Sequence, residues 1–402
     1  MKVAKVNDPR LHYLTPLKQT PFHARTATEN RLNSWGPWGG YTTALSFVDD
    51  SMEYTAIRNA ASVYDLCPMV KYRISGKDAA AYLNRLTVRD ASKLSVGGVH
   101  YTIWCDDAGK IIDDGTLFRL GQEEYRICCQ ERHLPWLIDS ALGFDVQIRE
   151  ETEEIAALSL QGPCSYSVLK AAGFDVADLK PFRMRTFAFD GGELMISRTG
   201  FTGDLGYELW TTPDHALALW DHLFAAGAPY GIRPIGTHAL DLARIEAGFI
   251  ITNMDFVPSH QAVREDRVRS PFELGLDWLI SWDKGHFTGR RALLEEKAKG
   301  SEWALVGIDI EGNVSAEGSL IYHNKQDEVG YITAAAWSPT TKRNIALAHL
   351  KRPYHAEKSG NIWVEVYALR ELQFHKLMLR ATVCEKPFFA PARRRATPPG
   401  LF

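Results

Sequence analysis

Short runs of alternating apolar and polar residues, closed by Gly, Pro, Asp or Asn, dominate the chain up to Trp210. Met69–Ile74, Val99–Trp104, Lys110–Leu120, Glu124–Cys129, Val146–Arg149, Ile155–Leu160, Thr186–Phe189, Glu193–Ser197 and Tyr207–Trp210 read as strands. Apolar residues at helical spacing predict helices over Met52–Val63, Ala79–Leu86, Glu131–Leu142, Ser165–Ala172, Asp214–Ala226 and Thr237–Ala247. Asp78 and Thr237 are placed to cap two of these helices, and Gly248 closes the last. Asp106-Asp-Ala-Gly109 and Asp190-Gly-Gly192 read as hairpin turns. Hairpins mixed with helices predict an α+β fold.

The pattern changes near residue 285, after the linker Asp283-Lys-Gly-His286 and a short helix over Gly289–Lys299. Trp303–Ile310, Gly318–Tyr322, Glu328–Ala336, Ile345–Leu350, Asn361–Tyr367, Phe374–Leu379 and Val383–Phe388 are strand candidates at regular spacing, which predicts a small all-β barrel or sandwich. At the other end, Trp35-Gly-Pro-Trp38-Gly-Gly-Tyr41 sits in a setting that favours neither helix nor strand and reads as an aromatic loop. Three units follow: an N-terminal extension 1–50, an α+β core 51–284 and a C-terminal β unit 285–402.

At 402 residues with 45% apolar and 24% charged composition, the chain is globular and long enough for more than one core. A formal net charge of −3 argues against nucleic-acid binding. No apolar run is long enough to span a membrane, and the first residues lack a secretory leader. Six cysteines without C-x-x-C spacing fit a reducing cytoplasm, and the histidines form no metal-ligating motif.

Four features stand out as candidate chemistry. Ser197–Trp210 passes Gly200, Gly203 and Gly206 and then places Glu208 inside an apolar strand, where an acid is costly unless something donates to it. Asp113 and Asp114 lie in the middle of another apolar strand, and neighbours on a strand face opposite sides, so one should point inward. Arg244-Ile-Glu246-Ala-Gly248 closes a helix, and Lys386-Pro-Phe-Phe389 precedes Arg393–Arg395. Each also has a plain reading: a solvent-facing hairpin acid, edge-strand acids, a helix end with a dipole-compatible Arg, and a solvated basic tail. The aromatic loop is either packing over a domain seam or a wall for a cationic onium group.

Taken in order, these features resemble the glycine-cleavage T-protein (aminomethyltransferase) family over nearly the whole chain from about residue 50. The likeness rests on Ile74-Ser-Gly-Lys-Asp78, Asp107-Ala-Gly-Lys-Ile-Ile-Asp-Asp114, Leu160-Gln-Gly-Pro163 and Arg198-Thr-Gly-Phe-Thr-Gly-Asp-Leu-Gly-Tyr-Glu208. It continues through Arg244-Ile-Glu-Ala-Gly248, Phe287-Thr-Gly289, Ser338-Pro339 with Asn344-Ile-Ala346, and Lys386-Pro-Phe388. The resemblance implies a three-lobed, ring-like fold with a central channel for tetrahydrofolate. It implies that Glu208 accepts an N–H pair from the pterin and that Asp114, or less readily Asp113, is catalytic. Phe201, Tyr207 and Tyr101 would border the folate, and Arg244 would meet its anionic tail; where T-proteins carry a second Arg, this chain has Leu240.

Within the family, Thr20-Pro-Phe22 with Arg25, the polar insert Val257–Arg269 and Ser270-Pro-Phe-Glu-Leu-Gly-Leu-Asp277 look more like the folate-dependent dimethylsulfoniopropionate demethylases. Lys284-Gly-His-Phe-Thr-Gly289 lacks the cysteine of the related iron–sulfur maintenance proteins. The expected activity is transfer of a methyl group from a small sulfonium, quaternary ammonium or methoxy donor to tetrahydrofolate, with Trp35, Trp38 and Tyr41 against the donor. Two alternatives stay open: aminomethyl transfer from a lipoyl carrier protein, with the insert as a docking face, and folate binding without catalysis.

Overall fold

The computed structural model describes residues 17–402. Most of the N-terminal stretch read as lacking a leader lies outside them. Three large β structures and a two-stranded hairpin account for the architecture, which is α+β. A six-stranded sheet runs in the order Met184–Phe189, Gly192–Ser197, Gly206–Thr211, Ala156–Gln161, Ser62–Asp65 and Arg233–Pro234. All its pairings are antiparallel except the last, which is parallel. A five-stranded antiparallel sheet runs Val99–Cys105, Ile111–Gly121, Glu124–Cys129, Val70–Ser75 and Gln147–Glu150. The C-terminal unit is a closed barrel of six strands. No helix among the described residues is long and apolar enough to cross a membrane.

Each sheet buries one face under helices. The six-stranded sheet packs Leu158, Leu160, Tyr207 and Leu209 against helices Ser165–Ala171 and Ala216–Gly227. The five-stranded sheet packs Tyr72, Ile74, Trp104 and Leu117 against Ala79–Leu86 and Leu134–Ser140. The remaining faces meet each other. Tyr64, Ala157 and Trp210 from one sheet share a core with Val99, Phe118 and Cys128 from the other. Phe118 and Trp210 touch edge to face at 5.3 Å between centroids. Ile103 and Ile111 of the five-stranded sheet pack with Leu305, Ala334, Ile345 and Leu347 of the barrel, so all three bodies converge there.

Several sequence expectations are corrected. The aromatic stretch is a β-hairpin, not a loop: Ser34–Trp38 pairs with Tyr41–Ser46. Gly39 and Gly40, at φ +56° and +88°, supply the tight two-residue turn, and Pro37 is tolerated on a short edge strand. A helix over His23–Glu29 precedes it. The helix after Asp49 ends at Asn59, because Ser62–Asp65 is an interior strand of the six-stranded sheet. The helix expected from Glu131 begins at Leu134, since Pro135 fits only in a first turn. Asp78 makes no capping bond and accepts instead from the Asp145 N–H. Thr237 is the first helical residue rather than the cap; its hydroxyl faces the Ala44 carbonyl and the Tyr64 hydroxyl. The last two strand candidates are one strand, Gln373–Cys384, with no Gly or Pro between Leu379 and Val383 to break it. The basic tail is docked: Arg393 donates from Nε and Nη2 to the two carboxylate oxygens of Asp204, at 2.6 and 2.7 Å.

Candidate functional site between two sheets

Glu208 sits on Gly206–Thr211 in register with Ser159 on one side and Ser197 on the other, and Ser159 is in register with Tyr64. Residues directly opposite on neighbouring strands share a face. Ser197, Glu208, Ser159 and Tyr64 therefore form a polar row across the sheet, on the face that meets the five-stranded sheet through Trp210. Burial pushes the Glu208 carboxyl up to about 7, although the Thr199 hydroxyl donates to Oε2 and works the other way. The Thr199 hydroxyl is hydrogen-bonded to Ser197 at 2.7 Å, and the Trp210 indole N–H donates to Ser197 at 3.1 Å. Across the gap, the Cys128 thiol is pushed up to about 12 by burial, with the Glu208 charge adding to the rise.

The glycines before Glu208 have an internal cause. A Cβ on Gly200 or on Gly206 would stand 2.1 Å from the Gln161 side-chain oxygen. That amide fills the turn: Nε2 donates to the Thr199 and Tyr207 carbonyls at 3.3 and 3.4 Å, and Thr202 donates to Oε1 at 3.0 Å. Gly203, at φ +72°, turns the chain beside Ala247.

The acid pair is split by the sheet. Asp113 is in register with Trp104, on the helix-covered face, and is wholly buried. Asp114 is in register with Ile103 and, with Thr116 and Phe118, faces the six-stranded sheet and the barrel. The Tyr101 hydroxyl donates to Asp114 Oδ2 at 2.9 Å. Burial first, and the neighbouring Asp113 second, push the Asp114 carboxyl up to about 7. Burial and Asp114 likewise push the Tyr101 hydroxyl up.

The other expected site residues divide. Trp38 lies against Tyr64, at the end of the polar row, with the rings tilted by 33° and their centroids 6.0 Å apart, and it pairs with Tyr41 across the hairpin. Trp35, an odd number of positions from Trp38 on the same strand, faces the other way and lies 5.1 Å from His23. Phe201 stacks on Phe249 at 5.6 Å. Tyr207 points away from Glu208 into the helix-covered core with no exposure, so it borders nothing on the Glu208 face. Arg244 is fully buried and donates to Asp241 at 2.7 Å, Asp255 at 2.6 Å and the Phe249 carbonyl at 3.1 Å. It clamps the segment 249–255. Asp255 reaches the barrel through the Thr333 hydroxyl.

Three polar residues that bear on the site had no signal in the pattern. Thr199 precedes a glycine turn, Thr252 lies on an irregular segment, and His133 precedes a proline-started helix; in each case only long-range pairing reveals the partner.

The chain resembles known proteins in sequence and fold. A family model described as the GCVT N-terminal domain matches residues 25–284, and one described as the glycine cleavage T-protein C-terminal barrel domain matches residues 304–390. An aminomethyltransferase from Caldanaerobacter subterraneus subsp. tengcongensis is 32% identical over 359 residues, covering 88% of this chain and 91% of that protein. A trimethylamine-oxide aldolase from Ruegeria pomeroyi is 34% identical over 394 residues; the match covers 94% of this chain and 48% of the aldolase, so the chain spans about half of that relative. The crystal structure of the glycine cleavage system aminomethyltransferase T from Bartonella henselae shares the fold at a TM-score of 0.82 and 23% identity, covering 93% of this chain and 98% of that one. The chain belongs to the glycine-cleavage T-protein family.

Proposed function

We propose that this member of the family is a tetrahydrofolate-dependent methyltransferase, taking a methyl group from a small sulfonium, quaternary ammonium or methoxy donor. The observation that carries the reading is the placement of Asp114 and Glu208 on the mutually facing sides of two sheets, with Trp38 at the end of the Glu208 row. Tetrahydrofolate, when bound, supplies N5 as the methyl acceptor and leaves as 5-methyltetrahydrofolate.

The residues present fit that group. A carboxylate offers about four acceptor positions. The Thr199 hydroxyl takes one on Glu208, leaving acceptor positions for a pterin N–H pair at a carboxylate that burial keeps from water. Tyr101 fixes the Asp114 carboxyl by its Oδ2, so this group meets the folate in one orientation and takes a proton from N5. Trp38, with Tyr41 beside it, would hold the cationic end of the donor by cation–π attraction. Methyl transfer needs in-line placement more than a covalent nucleophile, and no nucleophile is invoked. Phe201, with Phe249 behind it, would pack on the folate, and Arg244 would act on the site through the segment it clamps.

A second reading is aminomethyl transfer from a carrier protein, favoured by the curated relative of matching length being an aminomethyltransferase. A donor screen decides between them. Tetrahydrofolate is incubated with sulfonium, betaine-type and methoxy compounds in one arm and with an aminomethylated lipoyl carrier in the other, and the folate products are separated by chromatography. 5-Methyltetrahydrofolate from a free donor is the expected result. 5,10-Methylenetetrahydrofolate from the carrier arm alone would overturn it.

A further inference from the structure

The far side of the sheet from the proposed folate site holds a buried polar assembly that the reading above does not use. Asp113 Oδ1 accepts from the Thr252 hydroxyl at 2.5 Å and from the Asp114 N–H at 2.9 Å. Its Oδ2 accepts from the Glu131 N–H at 3.2 Å and lies 2.8 Å from His133 Nε2. Both side chains of the Asp113–His133 pair have zero exposure. The His133 backbone N–H donates to the Tyr72 hydroxyl, and its ring meets Trp104 and His260 edge to face at 5.7 and 5.2 Å. Its Nδ1 is buried without a hydrogen-bond partner among the described residues, which fits the tautomer carrying its proton on Nε2. Asp113 is then surrounded by four donors, the environment of a carboxylate anion.

The Thr252 hydroxyl makes this matter for Asp114. It lies 3.2 Å from Asp114 Oδ1 while standing 2.5 Å from Asp113 Oδ1. A hydroxyl has one proton to donate. Given to Asp113 at the shorter distance, it leaves a lone pair facing Asp114 Oδ1, a contact that is favourable when Asp114 carries a proton of its own.

From this geometry we infer that Asp113, Thr252 and His133 form a couple that assigns the pair's shared proton to Asp114 and so makes Asp114 a stronger base than an ordinary aspartate. His133 is a positioning residue that acts through Asp113, and Thr252 links the two faces of the sheet. The inference rests on Asp114 being the proton acceptor in the proposed reaction. A base titrating near the working pH is the efficient choice for such a role, and two close carboxylates are a known means of producing one. The charged and titratable groups facing the couple are Tyr101 beside Asp114, Cys129 on the neighbouring strand beside both acids, Glu131, His260 and Tyr72 around His133, and Asp106 near His260. Burial is the larger cause of the raised Asp114 carboxyl, and the part due to the neighbouring Asp113 is the part the couple accounts for.

The test reads the ligand-free protein, so it does not depend on the reaction. The Asp114 carboxylic-acid stretch is isolated by infrared difference against Asp114→Asn and followed through a pH titration. Asp113→Asn and His133→Phe are expected to lower its midpoint by one pH unit or more, while His133→Gln, which keeps a donor, restores most of it. The variants are first checked for native circular dichroism. If His133→Phe fails to fold, Thr252→Val serves in its place, with the same expected direction. A midpoint unmoved by Asp113→Asn in a folded protein would overturn the couple and leave the methyl-transfer reading standing. Absence of any methylated folate from wild type, with the midpoints shifting as expected, would overturn that reading and leave the couple.

Discussion

Arg58 reaches across the fold to Glu246, donating from Nε at 2.9 Å and Nη2 at 2.6 Å to one carboxylate oxygen, with both side chains essentially out of water. The other oxygen of Glu246 accepts from Tyr54 at 2.6 Å and from Ser338 of the barrel. One carboxylate thus joins the helix Asp50–Asn59, the helix Thr237–Ala247 and the barrel.

Removing one partner of such a pair leaves an uncompensated buried charge, at a cost of about 3–5 kcal/mol. Arg58→Met is therefore expected to lose stability on that scale in urea denaturation. Ser338→Ala removes one bond of several to Glu246 and is expected to cost about 1 kcal/mol. Equal effects of the two would refute the central place given to Arg58.

Glu208 gives a prediction with a pH sign. Its carboxyl is raised from 4.5 to about 7, so the folded protein binds a proton there that the unfolded chain has lost. Stability contributed by that proton is present below pH 4.5 and is lost as pH rises toward 7. Glu208→Gln, which mimics the neutral acid, is expected to be more stable than wild type at pH 8 by on the order of 2–3 kcal/mol and equal to it near pH 4. Folate affinity, which uses the carboxylate, is expected to rise with pH through about 7 in wild type and to be weak and flat in the variant. Thermal melts and fluorescence titrations at the two ends of the range check both halves.

Asp114 separates the two reactions. As the base of methyl transfer it must be ionised, so turnover should climb as pH passes about 7, the value to which burial and Asp113 raise it. As the acid that expels an amine in aminomethyl transfer it must be protonated, and turnover should fall over the same range. Asp114→Asn is expected to cut turnover by ~10²-fold or more. A rate–pH profile on the productive donor at saturating folate, where the Glu208 effect on affinity drops out, reads the sign.

The hairpin makes a contrast between two tryptophans. Trp38 faces Tyr64 and the polar row, whereas Trp35 lies against His23 on the opposite face. Trp38→Ala is expected to raise KM for a cationic donor about tenfold, the scale of one desolvated cation–π contact, while leaving the folate KM alone. Trp35→Ala should leave both unchanged. A neutral donor indifferent to Trp38→Ala would agree with this assignment; a cationic donor equally indifferent would remove Trp38 from the donor site.

Strand positions in the barrel, though not their order around it, the helices Ala79–Leu86 and Thr237–Ala247 and the two acid-bearing strands were legible because period and turn residues are local signals. The hairpin carried a usable signal too: Gly-Gly between aromatic flanks is a two-residue turn, but Gly36 and Pro37 masked its first strand. What local pattern could not supply is which face each acid takes relative to a distant partner. Asp113 and Asp114 look alike in sequence; the pairing of Trp104 with Asp113 and Ile103 with Asp114 separates them. Arg244 read as an available cation because Asp255 is invisible as a partner until the segment folds back.

The glycine turn offers the last prediction, and it distinguishes a scaffold from a binding surface. Gly206 is fixed by the Gln161 amide 2.1 Å from where its Cβ would be, and Gln161 is itself buried and tied to Thr199, Thr202 and Tyr207. Gly206→Ala must displace that amide and strand its partners, an overpacking cost of about 1–3 kcal/mol. Gln161→Ala alone opens a hole and leaves the same partners unpaired. Combining the two fills part of the space with the new methyl, so the double variant should be less destabilised than the sum of the singles by about 1 kcal/mol or more, the mark of direct contact. Additive losses would mean that the glycine answers to something other than Gln161, and a loss of folate affinity without loss of stability would return the turn to the ligand.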